Sequence, residues 1–409
     1  MLEKLNWPEG VTHVPYQIYS DPEIFEREME RIFRGHNWSY VGLEAEIPKV
    51  EDYLVTRIGN RSVVITRDAN GDIHGFINRC AHRGVKLCRQ RKGNNRFFVC
   101  PYHQWSYDSK GNLRGVPFIK GVKKLGGMPD DFRREDYDLP RLRIATRGGV
   151  IFASFAKDTD KLPDLETYLG EVNCKYFDRV FDGRNLRLMG FSRQRIPGNW
   201  KLMFENIKDP YHASLLHVFL VTFGLFRADQ KSQVRMDETG GHGLLISQKG
   251  EQQATEDTKD IKNLKTNFKL ADPRLLDPVK EFPDDATVVM QTIWPNLIVQ
   301  QQSNTLALRQ IQPVDAGSFE LHWTFFGYED DDEAMKLRRL RQANLMSSAG
   351  LVSADDSEVI KLTQEGVTQY SEDHSVILMG GTGTSDEPHM VTETAVRAFY
   401  KHYRKVMEI

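Results

Sequence analysis

The sequence predicts an α+β protein with a small all-β module ahead of a larger domain in which helices cover an antiparallel sheet. Its 409 residues exceed what one hydrophobic core usually organises, which favours two domains. The hydrophobic spacing is helical before Trp38, typical of short strands as far as Phe155, and mixed after Lys161. Strands and helices are segregated along the second part, which indicates an α+β domain with an antiparallel sheet.

Residues 1–37 are predicted to form a helical segment that packs on the second domain. Asp21-Pro22 combines a capping side chain with a proline suited to the first helical turn. The apolar residues that follow have helical spacing: Ile24, Phe25, Met29, Ile32 and Phe33.

Residues 38–160 are predicted to form the all-β module. Asn70-Gly71, a strong hairpin signal, lies between the strand-like runs Ser62–Thr66 and Ile73–Asn78. A second pair of runs, Phe97–Cys100 and Trp105–Tyr107, precedes another turn at Lys110-Gly111. Short strands joined by tight turns therefore account for most of this region.

Residues 161–409 are predicted to form the second domain. A helical stretch covers Trp200–Val218. The strands that follow are expected within Ala286–Gln302, Thr305–Pro313 and Phe319–Tyr328, and the last helices at Asp332–Met346 and Thr392–Val406.

The overall composition excludes several classes of protein. A formal charge of −2 gives no excess of basic residues, so nucleic acid is not an expected partner. No apolar stretch approaches the ~20 residues that span a bilayer, and Met1–Gly10 lacks the apolar core of an export signal. We therefore expect a cytoplasmic protein without membrane segments.

Two Cys and two His form a first candidate site in the all-β module. Cys80-x-His82 and Cys100-x2-His103 each lie at a tip between predicted strands, so that two loops could hold one metal centre. Rieske [2Fe–2S] centres need this composition, because two thiolates hold one iron and two imidazoles the other. Structural zinc is the alternative, but zinc motifs usually pair Cys with Cys and His with His. The remaining cysteines, Cys88 and Cys174, are interpreted as buried and inert.

A second candidate site lies near the middle of the chain. The spacing Asp209-x2-His212-x4-His217 could supply two imidazoles to a 2-His-1-carboxylate site for Fe(II), with the carboxylate coming from elsewhere. Residues five apart on a regular helix point about 140° away from each other. We therefore predict that the helix bends, breaks or bulges between His212 and His217.

Together the two motifs resemble the large subunits of the Rieske ring-hydroxylating oxygenases. The resemblance runs along nearly the whole chain and implies a helix-grip, START-like catalytic domain. It implies that Cys80 and Cys100 bind one cluster iron and His82 and His103 the other. It also implies that His212, His217 and a downstream aspartate hold the mononuclear Fe(II).

The family context after the Ala349-Gly350 turn identifies Asp356 as that aspartate, or Asp355 if the register is shifted by one. Ser347-Ser348 replaces the Gly-Pro that many relatives have before this turn. Asn206 lies near the same site in the family, and capping or orienting the helix is an equal alternative for it.

The resemblance also implies an assembly and partners. In the family, the residue equivalent to Asp209 links a cluster histidine of a neighbouring subunit, here His103, to a ligand histidine, here His212. This implies a head-to-tail ring, an α3 homotrimer or an α3β3 complex with a small second subunit. The chain has no Gly-rich dinucleotide motif opening a βαβ unit, so electrons must come from a separate NADH-dependent reductase, with or without a ferredoxin.

The expected substrates are an aromatic molecule and O2, and Arg309 is the candidate residue for binding the aromatic molecule. It is the only cation in Asn304–Pro313, and it could clamp a carboxylate if it faces a pocket rather than solvent. Gln194–Lys201, Tyr211–His217 and Met390–Thr394 are most similar to the salicylate hydroxylase, anthranilate dioxygenase and terephthalate dioxygenase branch. That branch implies an aromatic carboxylate, with salicylate first and anthranilate second. A terephthalate-type or other benzoate dioxygenase and a Rieske O- or N-demethylase are the alternatives.

Overall fold

The computed structural model describes residues 5–157, 161–249, 256–258, 261–262, 264–265 and 267–409. The chain forms two compact units. One unit, here called the β unit, is Phe33–Pro163, and the other, here called the α+β unit, combines Met1–Ile32 with Asp164–Ile409. The N-terminal segment thus belongs to the same unit as the C-terminal half of the chain.

The N-terminal segment contains β1 (His13–Pro15), α1 (Gln17–Ser20) and α2 (Pro22–Glu28). The predicted start of α2 is confirmed, because the Asp21 carboxylate accepts a hydrogen bond from the Glu23 amide at 2.7 Å. A π-helical turn at Met29–Phe33 follows. The apolar residues predicted to share one face are buried: Ile24, Phe25, Met29, Ile32 and Phe33.

The β unit is built from short antiparallel strands, as predicted. Its strands are β2 (Ser39–Leu43), β3 (Asp52–Ile58), β4 (Arg61–Arg67), β5 (Ile73–Ile77), β6 (Lys92–Asn94), β7 (Phe98–Val99), β8 (Ser106–Tyr107), β9 (Leu113–Gly115), β10 (Arg143–Arg147) and β11 (Val150–Ser154). They form three sheets, in the orders β5-β4-β3-β6, β10-β11-β2 and β7-β8-β9. The Asn70-Gly71 turn joins β4 to β5, and Gly71 has the positive φ of +90° that such a turn requires.

The α+β unit is organised around one sheet of seven antiparallel strands, which confirms the predicted fold class. The strand order is β12-β18-β17-β16-β15-β14-β13. These strands are β12 (Leu186–Ile196), β13 (Ser232–Met236), β14 (Gly243–Ser247), β15 (Val288–Ile293), β16 (Leu297–Gln302), β17 (Thr305–Asp315) and β18 (Ser318–Tyr328). A short strand, β19 (His374–Val376), pairs with β1.

Helices pack against this sheet. They are α3 (Leu165–Leu169), α4 (Glu171–Val180), α5 (Trp200–Lys208), α6 (Ala213–Leu216), α7 (Val218–Thr222), α8 (Glu333–Met346), α9 (Leu351–Gln369) and α10 (Thr394–Met407). Among them α4, α5, α8, α9 and α10 contact strands of the sheet. None of the helices within the described residues is long and apolar enough to cross a membrane.

The helix expected over Trp200–Val218 is interrupted twice. It stops after Lys208, where the Asp209 carboxylate accepts a hydrogen bond from the Tyr211 amide at 2.8 Å and Pro210 has no amide hydrogen to donate. It stops again at His217, whose φ of −85° and ψ of 76° are not helical. The predicted irregularity is therefore a break at His217 itself.

Candidate metal centres and substrate pocket

Two loops of the β unit carry Cys80 with His82 and Cys100 with His103, and they have the same backbone pattern. The Cys80 amide donates to the Val85 carbonyl, and the Cys100 amide donates to the Trp105 carbonyl, each at 2.8 Å. Each cysteine carbonyl accepts a hydrogen bond at 3.0 Å from the residue four positions later, which has a positive φ in both loops. The two loops thus present their Cys and His residues in the same way.

The side chains of these loops come together. The His82 and His103 rings lie 4.6 Å apart between centroids, and His82 stacks on Trp105 at 4.8 Å. Nδ1 of His103 is buried and finds no hydrogen-bond partner within the described part of the chain. Cys80 and Cys100 are both buried, and burial raises the pKa of Cys80. Two buried sulfurs and two neighbouring imidazoles, one with an unpartnered nitrogen, supply the donor set that a Rieske cluster needs.

The spacing of these donors does not suit a single zinc ion. In a zinc tetrahedron with bonds of 2.0–2.3 Å, the donor atoms lie about 3.5 Å from one another. Among the described residues, only two groups bring three possible ligand atoms within 4.8 Å of one another, and the Cys–His loops form neither. A diiron cluster fits better, because its two irons separate the thiolates from the imidazoles.

His212, His217 and Asp356 form one of those two groups, in the α+β unit. His212 immediately precedes α6, His217 lies at the break between α6 and α7, and Asp356 is buried on α9. Nε2 of His217 is 3.2 Å and Nε2 of His212 is 3.6 Å from the same Asp356 oxygen, Oδ1. Two nitrogens and one oxygen converging from three directions fit a single metal ion.

Each imidazole of this group has a second carboxylate on its far side. Nδ1 of His212 is 3.5 Å from Asp209, and Nδ1 of His217 is 3.3 Å from Asp355. A carboxylate behind a metal-binding imidazole orients the ring and fixes its tautomer. From the sequence, Asp355 was expected only as a substitute for Asp356. The adjacency of the two aspartates on one helix was the available signal that both could serve the same site.

Asn206 also reaches this group. Its side-chain amide donates a hydrogen bond to Asp356 Oδ1 at 3.0 Å, while its own Oδ1 is buried without a partner among the described residues. The contact orients the Asp356 carboxylate from α5, the neighbouring helix. The structure thus places Asn206 beside the proposed iron ligands, whereas the alternative considered from the sequence was that it caps or orients its helix.

The charges of neighbouring residues determine the direction in which the pKa values of His212 and Asp356 shift. Burial lowers the pKa of His212, but Asp209 and Asp356 outweigh burial and raise this pKa to about 10. Burial raises the pKa of Asp356, yet the two histidines hold it well below its usual range. Positive charge is therefore strongly favoured between these residues, as a bound cation requires.

A pocket adjoins the three residues. Most of its wall is apolar, with Leu220, Phe226, Leu245, Val288 and Met290 among the lining residues. Its polar groups outside the metal-binding end include Gln300, Gln302 and Arg309. An apolar lining with a few polar groups suits a small aromatic molecule.

Arg309 is in the middle of β17 and lines this cavity. Its guanidinium lies 4.7 Å from the centre of the Trp323 ring, and Nη2 is 3.6 Å from the Met290 sulfur. Nε has no hydrogen-bond partner among the described residues. Burial lowers the pKa of Arg309 to about 10, against an opposing effect of Asp356. Arg309 therefore faces the pocket, and not solvent as in the alternative considered from the sequence.

Fold and metal-binding geometry together define a Rieske non-haem iron oxygenase. The Rieske [2Fe-2S] domain family matches residues 37–126, and the family of the ring hydroxylating alpha subunit (catalytic domain) matches residues 175–409. The chain thus belongs to the large subunits of the Rieske ring-hydroxylating oxygenases. It is an oxidoreductase of a multicomponent aromatic-ring-hydroxylating system that uses a [2Fe–2S] cluster and a mononuclear iron.

Relatives cover nearly the full length of the chain. The chain is 50% identical to the salicylate 5-hydroxylase large oxygenase component of Ralstonia sp., covering 98% of this chain and 96% of that protein. It is 41% identical to the anthranilate 1,2-dioxygenase large subunit of Burkholderia cepacia, covering 97% and 93%.

Among solved structures, naphthalene 1,2-dioxygenase from Rhodococcus sp., bound to indole, has a TM-score of 0.80 at 26% identity. That comparison covers 97% of this chain and 94% of the other. The names of the first two relatives describe them as the large oxygenase component and the large subunit of their enzymes.

Proposed function

We propose that this protein hydroxylates a benzoate that carries a hydroxyl or amino group next to its carboxylate, salicylate first and anthranilate second. The observation that carries this proposal is Arg309, a buried cation in the cavity beside the iron-binding residues. The printed names of the relatives at 50% and 41% identity, salicylate 5-hydroxylase and anthranilate 1,2-dioxygenase, support the same substrate class.

A carboxylate is the missing counterion of Arg309. A buried charge is costly unless an opposite charge pairs with it and accepts its hydrogen bonds. The nearby carboxylate of Asp356 lies against the two histidines and Asn206. A substrate carboxylate that accepts two hydrogen bonds from the guanidinium therefore fixes one end of the ring.

Gln300 explains the preference for an adjacent donor group. Its side-chain nitrogen donates to Gln302 at 3.1 Å, which leaves its carbonyl oxygen, Oε1, buried without a partner among the described residues. A hydroxyl or amino group beside the carboxylate can donate to this oxygen, whereas unsubstituted benzoate leaves it unpaired. An unpaired buried acceptor costs about 1–3 kcal/mol, enough to select between these substrates.

A terephthalate-type substrate fits this cavity less well. Terephthalate carries two carboxylates, and Arg309 is the only lysine or arginine among the described residues that line the cavity. The second carboxylate would enter an apolar region without a counterion. A terephthalate-type substrate is therefore less favoured than salicylate.

The metal-binding residues have the following proposed roles. Cys80 and Cys100 bind one cluster iron, His82 and His103 bind the other, and His212, His217 and Asp356 hold the mononuclear iron. The cluster passes single electrons, and the mononuclear iron supplies the chemistry that activates O2. Domain boundaries at residues 38–160 for the cluster and 161–409 for the iron are part of the same proposal.

The remaining residues position this machinery. Asn206 orients the Asp356 carboxylate, and Asp209 supports His212 while connecting it to His103 of a neighbouring copy. That connection requires a head-to-tail α3 ring, alone or with a small second subunit as α3β3. We also propose a cytoplasmic location and a separate NADH-dependent reductase, with or without a ferredoxin, as the electron source.

Turnover with a reductase system, NADH and a panel of benzoates tests the substrate assignment. Salicylate is expected to give the highest kcat/KM, followed by anthranilate, with benzoate and terephthalate lower. Arg309→Met should lower kcat/KM for salicylate at least about 100-fold, while neutral salicylamide loses far less. Arg193→Ala, an exposed arginine on β12, serves as the matched control.

Two results would overturn the proposal. One is an unchanged KM for salicylate in the Arg309→Met protein, and the other is release of formaldehyde from a methoxybenzoate without ring hydroxylation. The second result assigns the chain to the Rieske demethylases. Counting the oxygen atoms that enter the ring from labelled O2 separates monooxygenation from dioxygenation.

A further inference from the structure

Charge is distributed unevenly between the two units. The β unit contains 24 Lys and Arg against 14 Asp and Glu, a formal charge of +10, although the whole chain carries −2. From Ile73 to Tyr107, the stretch with both Cys–His loops, there are seven Lys and Arg and no Asp or Glu. A field of this sign attracts acidic proteins toward the cluster-binding unit.

One segment of this unit, Pro117–Gly127, combines positive charge with exposed apolar side chains; we call it the basic loop. Phe118 is 74% exposed, Leu125 is 77% exposed and Val122 is 51% exposed. Lys120, Lys123 and Lys124 are exposed as well, and the loop contains no acidic residue. Exposed apolar groups clustered among like charges are typical of a surface that binds a protein partner.

The basic loop has a defined backbone conformation. The Gly121 amide donates to the Phe118 carbonyl at 2.8 Å, and Val122 and Leu125 exchange two hydrogen bonds at 3.0 Å. Gly121 has a φ of +74°, and a Cβ there would lie 2.4 Å from the Leu125 carbonyl oxygen, so the turn requires glycine. The apolar side chains are therefore held outward by a formed turn, which lowers the ordering cost of binding.

Both ends of the basic loop are anchored beside the cluster-binding residues. Val116 and Met128, which flank the loop, pack against a buried core that includes Cys80, Cys100 and Trp105. The Met128 amide also donates to the Ile119 carbonyl at 2.9 Å. A protein bound to the loop is thus held on the part of the β unit that carries the cluster.

We propose that the basic loop is the docking site for the electron donor, an iron–sulfur protein with an acidic surface. In the encounter one electron leaves the reduced centre of the donor and enters the oxidised [2Fe–2S] cluster, and no bond is made or broken. A donor must bind and leave for every electron, and such redox encounters use small interfaces of less than about 1,200 Å². A patch of eleven residues with three lysines and three exposed apolar side chains fits that type of contact.

Stopped-flow reduction of the oxidised cluster tests this proposal. The probe is a reduced acidic plant-type [2Fe–2S] ferredoxin, and the variant is Lys120→Glu/Lys123→Glu/Lys124→Glu. Its second-order rate constant should fall at least about 10-fold at low salt, and the difference from the native protein should shrink as salt screens the charges. Phe118→Ser/Leu125→Ser should also slow reduction, but without changing the slope of its salt dependence.

The matched control reverses three other exposed lysines of the β unit, Lys49, Lys157 and Lys161, and so changes the net charge equally. It should retain most of the native rate constant. Photoreduced deazariboflavin, a small neutral reductant, should reduce the cluster of every variant at the native rate.

Three outcomes would overturn the proposal: a native rate in the loop variant, an equal loss in the control, or a change in oligomeric mass. The last would make the loop a contact between copies of this chain. This proposal depends on the proposed function in one respect only, namely that the cluster receives its electrons from a separate donor protein. Product formation by pre-reduced protein mixed with O2 and salicylate tests that function without the donor.

Discussion

His212 and His217 illustrate how single residues are oriented in the His–His–Asp group. Their Nε2 atoms face Asp356, while their Nδ1 atoms face Asp209 and Asp355. Two adjacent aspartates on one helix therefore have different contacts. Asp356 is almost fully buried among the histidines, whereas the Asp355 side chain is 37% exposed.

Replacing each aspartate separately is expected to distinguish these two positions. Asp356→Asn should lose the mononuclear iron, because an amide removes the negative charge that the proposed site presents to the metal. Asp355→Asn should keep the iron with about 10–100-fold weaker affinity, the usual effect of losing a carboxylate behind a ligand histidine. Iron analysis after dialysis measures both. Full iron content in the Asp356→Asn protein would contradict the assignment.

Helix α5 contains two buried lysines, one with hydrogen-bond partners and one without any among the described residues. Lys201 donates hydrogen bonds to Glu28 at 2.6 Å and to Asn199 at 2.7 Å. Lys208, at the end of the same helix, is buried and has no hydrogen-bond partner for Nζ among the described residues. Burial lowers the pKa of Lys208 from 10.5 to about 7.

These surroundings predict opposite effects of the same substitution. Lys208→Met should raise the free energy of unfolding at pH 7 by on the order of 3 kcal/mol, because an unpaired buried amine is removed. Lys201→Met should lower it by about 3 kcal/mol or more, because Glu28 then remains buried without its partner. Denaturant titration of the two variants provides the comparison, and equal signs would refute the argument.

The increase in the free energy of unfolding caused by Lys208→Met should depend on pH. Between pH 7 and 10.5 the unfolded chain binds a proton on Lys208 that the folded chain does not, so native stability rises with pH across this window. The variant lacks this contribution. The difference in the free energy of unfolding between the variant and the native protein should be largest at pH 7 and below and should vanish near pH 10.5. Parallel denaturation curves can measure this difference.

The turn between α8 and α9 sets where Asp356 lies along its helix. The Gly350 amide donates to the Ser347 carbonyl at 2.7 Å, so the turn forms with Ser347-Ser348 in place of the Gly-Pro expected from many relatives. A Cβ at Gly350 would lie 2.0 Å from the Leu345 carbonyl oxygen, which is backbone and cannot move aside.

Gly350→Ala should therefore lower the free energy of unfolding by about 2 kcal/mol or more. It should also weaken iron retention, because α9 would shift. Gly366→Ala is the matched control, since a Cβ there meets nothing within 4 Å in the interior of α9. That control should stabilise the helix by about 0.5–1 kcal/mol. Thermal unfolding and iron analysis of both variants test the difference, and equal effects would argue against a steric role of this turn.

For the whole molecule, the main consequence of the fold is that each unit carries its own set of proposed metal ligands. The Cys–His loops lie in the β unit, and the His–His–Asp group lies in the α+β unit. Each set is assembled from residues of one unit.

Anaerobic chelation of the mononuclear iron should therefore leave the [2Fe–2S] cluster intact. We expect turnover to stop, the unfolding temperature of the α+β unit to fall through loss of a bound ligand, and the visible spectrum and EPR signal of the cluster to persist. Adding Fe(II) back should restore turnover. Parallel loss of the cluster signal and the mononuclear iron would show that the two centres are not held independently.

The sequence by itself determined the class of protein and the local chemistry. The Cys–His loops, the Asn70-Gly71 hairpin and the Asp21 helix start depend on neighbouring residues, so spacing was enough to predict them. The break at His217 was also predictable, because a regular helix points residues five apart in different directions. Asp356 could be chosen among 57 acidic residues only from the family resemblance.

Tertiary structure alone decided which distant groups meet. The placement of Asp355 behind His217, the contact of Asn206 with Asp356 and the burial of Arg309 in the cavity each join residues far apart in the chain. Such contacts depend on how β17, α5 and α9 pack together. Hydrophobic periodicity describes one element at a time, and it carries no information about which face of one element meets which residue of another.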